Sequence, residues 1–374
     1  MRPLAPLSIA LATTLGTLGC GSSGGDAPAE TSGTARAVTS PGGDAEVAPT
    51  AAATASAPSS APPSSTPPAD PFASSLTVYA IHAPTSQLNP AGLMWTSPGG
   101  LTRQVLLNEA GAAVLNFKHT IGHASVKLEC AATATAPAGK FVGAMTNADD
   151  AELRGLVLDK QVGLGVMFDS VKGRFQTEAE VQADVDAGIK DGGMSYVKLG
   201  IAADVCQRLL DYERAYVAAG LDKVYGLAVS PLRKEGAGCS AFAVSFLELA
   251  NLLEPRFAST WAFHVRAPMY TQPIVGTPEP LIGGTKNPGV LVPVTRVASL
   301  TRGWAAPNED GIDIAGWDPT QMQESLDKII TQALADGSEK VEVQGKLRGL
   351  LLDRRSTVAT PALMGGTFFT PGSP

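Results

Sequence analysis

The chain alternates between two kinds of hydrophobic spacing, and each recurs often enough to outline a fold. Thr77-Val78-Tyr79-Ala80-Ile81-His82-Ala83 sends successive side chains to opposite sides, as a half-buried strand does. Ile121 to Cys130 repeats the pattern more cleanly. Gly122, Ala124, Val126 and Leu128 fall on one face, and His123, Ser125, Lys127 and Glu129 on the other. Further extended runs are expected at Ala113 to Lys118, Phe141 to Met145, Gly163 to Phe168, Ser195 to Ile201, Trp261 to Arg266 and Gly289 to Val297. Between these runs the spacing changes to three and four. Val181, Val185 and Ile189 share one face of a helix that Thr177 and Glu180 open as a capping box. Val205, Leu209, Tyr212 and Tyr216 line a second helix, Ala203 to Ala219, which Gly220 stops. Cys239 to Leu253 is a third, apolar around most of its girth and ended by Glu254-Pro255. Asp318-Pro319 opens a fourth, which carries Met322, Leu326, Ile329 and Ile330 before Asp336-Gly337 breaks it. Strands gathered early with helices inserted between them predict an α+β domain, with an antiparallel sheet and a buried helix starting at Cys239.

Composition removes a large part of the chain from that domain. Of the 55 residues from Gly21 to Ser75, 46 are Ala, Gly, Pro, Ser or Thr, too few apolar groups to offset the chain entropy of ordering them. Before them, Met1-Arg2 and the uncharged stretch Leu4 to Leu18 form a secretory signal too short to anchor in a bilayer. Thr17-Leu18-Gly19-Cys20 resembles the lipobox of bacterial lipoproteins, which implies that Cys20 is acylated and becomes the new N-terminus. Several acyl chains hold a protein to a membrane stably. No Asp follows Cys20, so the expected address is the outer membrane, with the linker reaching roughly 40 Å as a random coil. The expected organisation is thus a signal at 1–19, the lipidated Cys20 and linker at 20–75, one globular domain at 76–354 and a tail at 355–374. From Leu76 onward, 26 Lys and Arg stand against 30 Asp and Glu, which gives no basic footprint for nucleic acid.

Setting Cys20 aside leaves Cys130, Cys206 and Cys239, an odd number in an oxidising compartment. Cys130 and Cys206 are a candidate disulfide; each is equally readable as a buried apolar thiol. Cys239 follows Gly236-Ala237-Gly238 and stands at the first position of its helix, where unsatisfied N–H groups favour thiolate. A thiolate nucleophile needs a base, and His123, beside the small Gly122 and Ala124, is the first candidate among four histidines. His82, His119 and His264 have weaker settings. His119 and His123 are four apart, as on a zincin helix, but no Glu lies between them and the context reads as strand, so no metal or cofactor is expected.

Gly122-His123-Ala124-Ser125-Val126 on a strand, followed 115 residues after His123 by Gly238-Cys239-Ser240 at a helix start, resembles circularly permuted papain-like hydrolases. These include NlpC-type cell-wall amidases and the lecithin–retinol acyltransferase type. The resemblance covers Ile121 to Leu253 and implies a papain-like fold, Cys239 as nucleophile and His123 as general base. It leaves the residue that orients His123 open between Thr146, Asn147 and His264. Glu129, six residues along the strand, is about 20 Å away and out of reach. The implied activity is cleavage or transfer at an amide or ester, with peptidoglycan peptide as one substrate. The competing expectation is a non-catalytic envelope lipoprotein that binds or scaffolds, or an inactive papain-like relative.

Overall fold

Seven residues of strict alternation, Ser75–Ile81, form strand β1 in the middle of a six-stranded sheet. The structure is a computed structural model that describes residues 70–85, 95–97, 118–149, 170–227, 229–268, 303–309 and 311–370, with parts of a helix between 100 and 111. Cys20, the linker up to residue 69, and the runs expected at 113–117, 163–168 and 289–297 lie outside the described residues.

Across the sheet the strands run β10 (Lys340–Gln344), β11 (Leu347–Asp353), β6 (Met194–Gly200), β1, β2 (His123–Cys130) and β3 (Gly139–Gly143). Every neighbouring pair is antiparallel except β11 with β6, so the sheet is mixed where a purely antiparallel one was expected. The run predicted at 141–145 breaks at Ala144: β3 ends at Gly143, and β4 (Met145–Asn147) joins β5 (Ser170–Phe175) and β7 (Val224–Gly226) in a second sheet. A hairpin of β8 (Ala262–Pro268) and β9 (Gly311–Trp317) forms the third.

The two faces of the large sheet meet different helices. Leu76, Val78 and Ala80 of β1 and Ala124, Val126 and Leu128 of β2 point into the main core, all at 0 % exposure. Helices α2 (Ala203–Ala218), α3 (Cys239–Leu249) and α5 (Pro319–Asp336) pack there, contributing Leu209, Phe242, Phe246, Met322 and Leu326. The other face is covered by α1 (Glu178–Asp191), whose Val185 and Ile189 meet Tyr79, Ile81, Met194 and Tyr196. Thr177 and Glu180 make the capping box of α1 in full. Phe242 is the hub of the main core, with Phe175, Tyr216 and Phe246 ring centroids each 5.1 Å away. α3 stops at Leu249, short of the expected Leu253, because Asn251 takes a left-handed φ of 57° and turns the chain. A short helix, α4 (Pro255–Trp261), follows with proline at its first position.

Residues 355–370 were expected as a tail and are instead folded onto the core. Helix α6 (Pro361–Gly365), capped by Thr360, buries Leu363 completely, and Phe368 is 8 % exposed. The large apolar residues of this stretch, Val358, Leu363, Met364, Phe368 and Phe369, follow neither a helical nor a strand period that could be read as structure.

At one position the α1 side of the sheet leaves no room for a methyl group. A Cβ on Gly349 falls 2.0 Å from the Tyr196 ring, which lies directly across the parallel pair. Gly349→Ala is expected to displace that ring, break the 2.7 Å hydrogen bond from Tyr196 to Glu342 and cost roughly 1–3 kcal/mol. Urea unfolding measures this; a change within 0.5 kcal/mol, the order of an ordinary surface substitution, contradicts the packing described.

Candidate functional site

Strand parity decides the relation between His123 and Cys239. His123 lies directly across from Ile81, and residues opposite one another in a sheet share a face. Ile81 packs against α1, so His123 projects toward α1. Cys239 begins α3 and packs in the main core, with the even-numbered residues of β2. The two side chains therefore leave the sheet layer on opposite sides. The expected nucleophile–base pair is not assembled: His123 bonds Gln176 and stacks on His119, and Cys239 is not among its partners.

Cys239 itself is 3 % exposed, so it offers no accessible thiolate. Its helix does supply the N-terminal setting expected from the sequence, with Gly238 at the cap. Cys130 and Cys206 are brought together, with Cα atoms 5.4 Å apart, and join β2 to α2. Cys20, the remaining cysteine, lies outside the described residues.

The histidines gather differently from the expectation. His119 and His123 are both buried, their rings 4.5 Å apart and within 3° of parallel. His119 Nε2 donates to Asp184 Oδ1 at 3.0 Å, and His123 Nε2 donates to Gln176 Oε1 at 2.6 Å. Gln176 Nε2 in turn reaches Asp184 Oδ2 at 3.4 Å, and the Lys118 ammonium contacts Asp184 Oδ1. Both Nδ1 atoms are buried without a hydrogen-bond partner. Burial lowers the His123 pKa to about 3, helped by the neighbouring His119. Burial pushes Asp184 up, but the hydrogen bond and charge of His119, with Lys118, hold it at about 2.

Thr146 and Asn147, weighed as orienting residues, lie buried on β4, and His264 is exposed on β8. The residues that do orient the histidines, Gln176 and Asp184, were missed. Asp184 left a signal: it is the lone acid on the inward stripe Val181, Asp184, Val185, Gly188 and Ile189.

A second buried acid caps α5. Asp318 accepts hydrogen bonds from Gln321 N at 2.8 Å and from Trp95 Nε1 at 2.6 Å. Burial raises its pKa to about 6 against those bonds. His82 stands nearby and bonds Glu324 at 3.1 Å. A groove of about 270 Å³ runs between α4 and α5, lined by Arg256, Thr260, Gln321, Glu324, Lys328 and Ile329 among others. Neither Cys239 nor His123 lines it.

Among the described residues no group of three His, Cys, Asp or Glu side chains is placed to hold a metal ion, and no helix is long and apolar enough to cross a membrane. No family model, curated protein or solved structure matches the chain.

Proposed function

We propose that this chain is an exported lipoprotein, anchored through Cys20, whose folded module works in the cell envelope by binding or scaffolding and not by Cys239/His123 hydrolysis. The observation that carries the non-catalytic reading is the placement of those two residues on opposite faces of one sheet, with Cys239 buried. A papain-like hydrolase needs the thiolate and the imidazole within hydrogen-bond reach on one side of a cleft. An inactive relative of that family remains compatible with a buried helix starting at Cys239.

Support for export comes from the signal and lipobox at the start of the sequence and from the Cys130–Cys206 bond in the core, a feature of oxidising compartments. The partners on this reading are the membrane, through the lipid, and cell-wall material within reach of the linker. The acidic balance of the domain gives no basis for nucleic acid.

Metabolic labelling with a fatty acid in the producing cell tests the anchor. Label is expected on the wild type and absent from Cys20→Ala. Mass spectrometry that finds Cys20 unacylated, or engaged in a disulfide, overturns the anchor. For the module, a thiol-reactive probe on the folded protein is expected to leave Cys239 unlabelled at neutral pH. Rapid labelling that His123→Ala abolishes would restore the hydrolase.

A further inference from the structure

We propose that Lys118 and Asp184 become joined by an amide, an intramolecular isopeptide cross-link that ties the segment before β2 to α1. The two side chains are already in contact, Lys118 Nζ on Asp184 Oδ1. What distinguishes this pair is the surroundings of the acid. The Asp184 side chain is 2 % exposed, more buried than any other acid in an ion pair among the described residues. By contrast, the similarly close pair Lys140–Glu178 is open to water on both sides, at 45 % and 61 % exposure. Both Asp184 oxygens also carry donors suited to the reaction, His119 Nε2 on Oδ1 and Gln176 Nε2 on Oδ2.

The step balances without a co-reactant. The ion pair at rest keeps Asp184 a carboxylate. The reactive form is the neutral pair, reached when Lys118 passes a proton directly to Asp184 Oδ1, the oxygen it touches and to which His119 Nε2 also donates. The free amine then attacks Asp184 Cγ and a C–N bond forms. Negative charge that builds on Oδ2 in the tetrahedral intermediate faces the Gln176 N–H. The C–Oδ1 bond breaks, Oδ1 leaves as water, and one hydrogen stays on the amide nitrogen. The ammonium–carboxylate pair and the amide plus water have the same net charge, zero. Burial favours the product at the acid's end, because a neutral amide costs less to keep from water than a carboxylate, while the Lys118 side chain is 35 % exposed.

The experiment is peptide mass mapping of the full chain recovered from the cells that produce it. A branched peptide joining the Lys118 and Asp184 segments is expected, lighter than their sum by one water, about 18 Da. Lys118→Arg keeps the charge but blocks the transfer, so the branched peptide should disappear and the two segments separate at their full masses. His119→Gln is expected to slow the appearance of the linked form. If the wild-type segments separate at their summed mass, the cross-link does not form and the proposal falls; a wild-type result alone decides this, whether or not the variants fold. Loss of water that persists in Lys118→Arg also overturns it, by assigning the loss to another site.

Discussion

Cys130→Ala, Cys206→Ala and the double variant are each expected to destabilise the domain by roughly 3–4 kcal/mol, with little difference between them. The bond closes a loop across a sequence separation of 76 residues, for which loop-closure entropy alone gives about 4.5 kcal/mol, an upper figure for the expected loss. Its two ends are buried, Cys130 at 3 % and Cys206 at 0 % exposure, and both sit in the core between β2 and α2. Removing either sulfur breaks the same bond, so the single costs do not add. Guanidinium unfolding of oxidised wild type and the three variants checks this. Two single variants whose costs sum to the cost of the double would mean that the sulfurs contribute by packing alone.

Asp318→Asn is expected to steepen the loss of stability in acid. His123 has a folded pKa of about 3 against an ordinary 6.5, so between these values the unfolded chain binds a proton that the folded chain refuses. Its contribution is fully present above pH 6.5 and is lost as pH falls toward 3, at about 1.4 kcal/mol per unit. Asp318 acts in the opposite direction. Its folded pKa of about 6 exceeds the ordinary 3.8, so the folded chain binds the extra proton and gains stability as pH falls from 6 to 3.8. Over that window the two offset each other and the wild type should change little on their account. Asn does not titrate, and with one acceptor oxygen it keeps the cap on Gln321 N but gives up the bond from Trp95, a cost present at every pH. The variant should therefore lose roughly 3 kcal/mol between pH 6 and 3.8 relative to wild type. Urea midpoints at several pH values across the window test it, and a variant profile parallel to that of the wild type would remove the Asp318 shift.

Much of the secondary structure was legible because it rests on local periodicity and punctuation. The alternation of β1 and β2, the Thr177–Glu180 box and the Asp318 cap all encode their elements within a few residues. The hairpin β10–β11 was not legible: Lys340-Val341-Glu342-Val343-Gln344 is an edge strand with charged residues, and the hairpin's place in the sheet is set by β11 pairing with β6 far back along the chain. The folded end at 355–370 was missed for the same reason, since its few apolar residues are meaningful only against the core they meet.

The candidate site divides along the same line. Sequence alone determined that His123 and Ser125 share one side of a strand and that Cys239 starts a buried helix, because both follow from a period of 2 or 3.6. Which side of the sheet that helix covers is set by chain crossovers tens of residues long, and no local period records it. Only the tertiary structure decided that α1, not α3, faces His123, and thereby exchanged Cys239 for Gln176, Asp184 and Lys118 as the groups around the histidines.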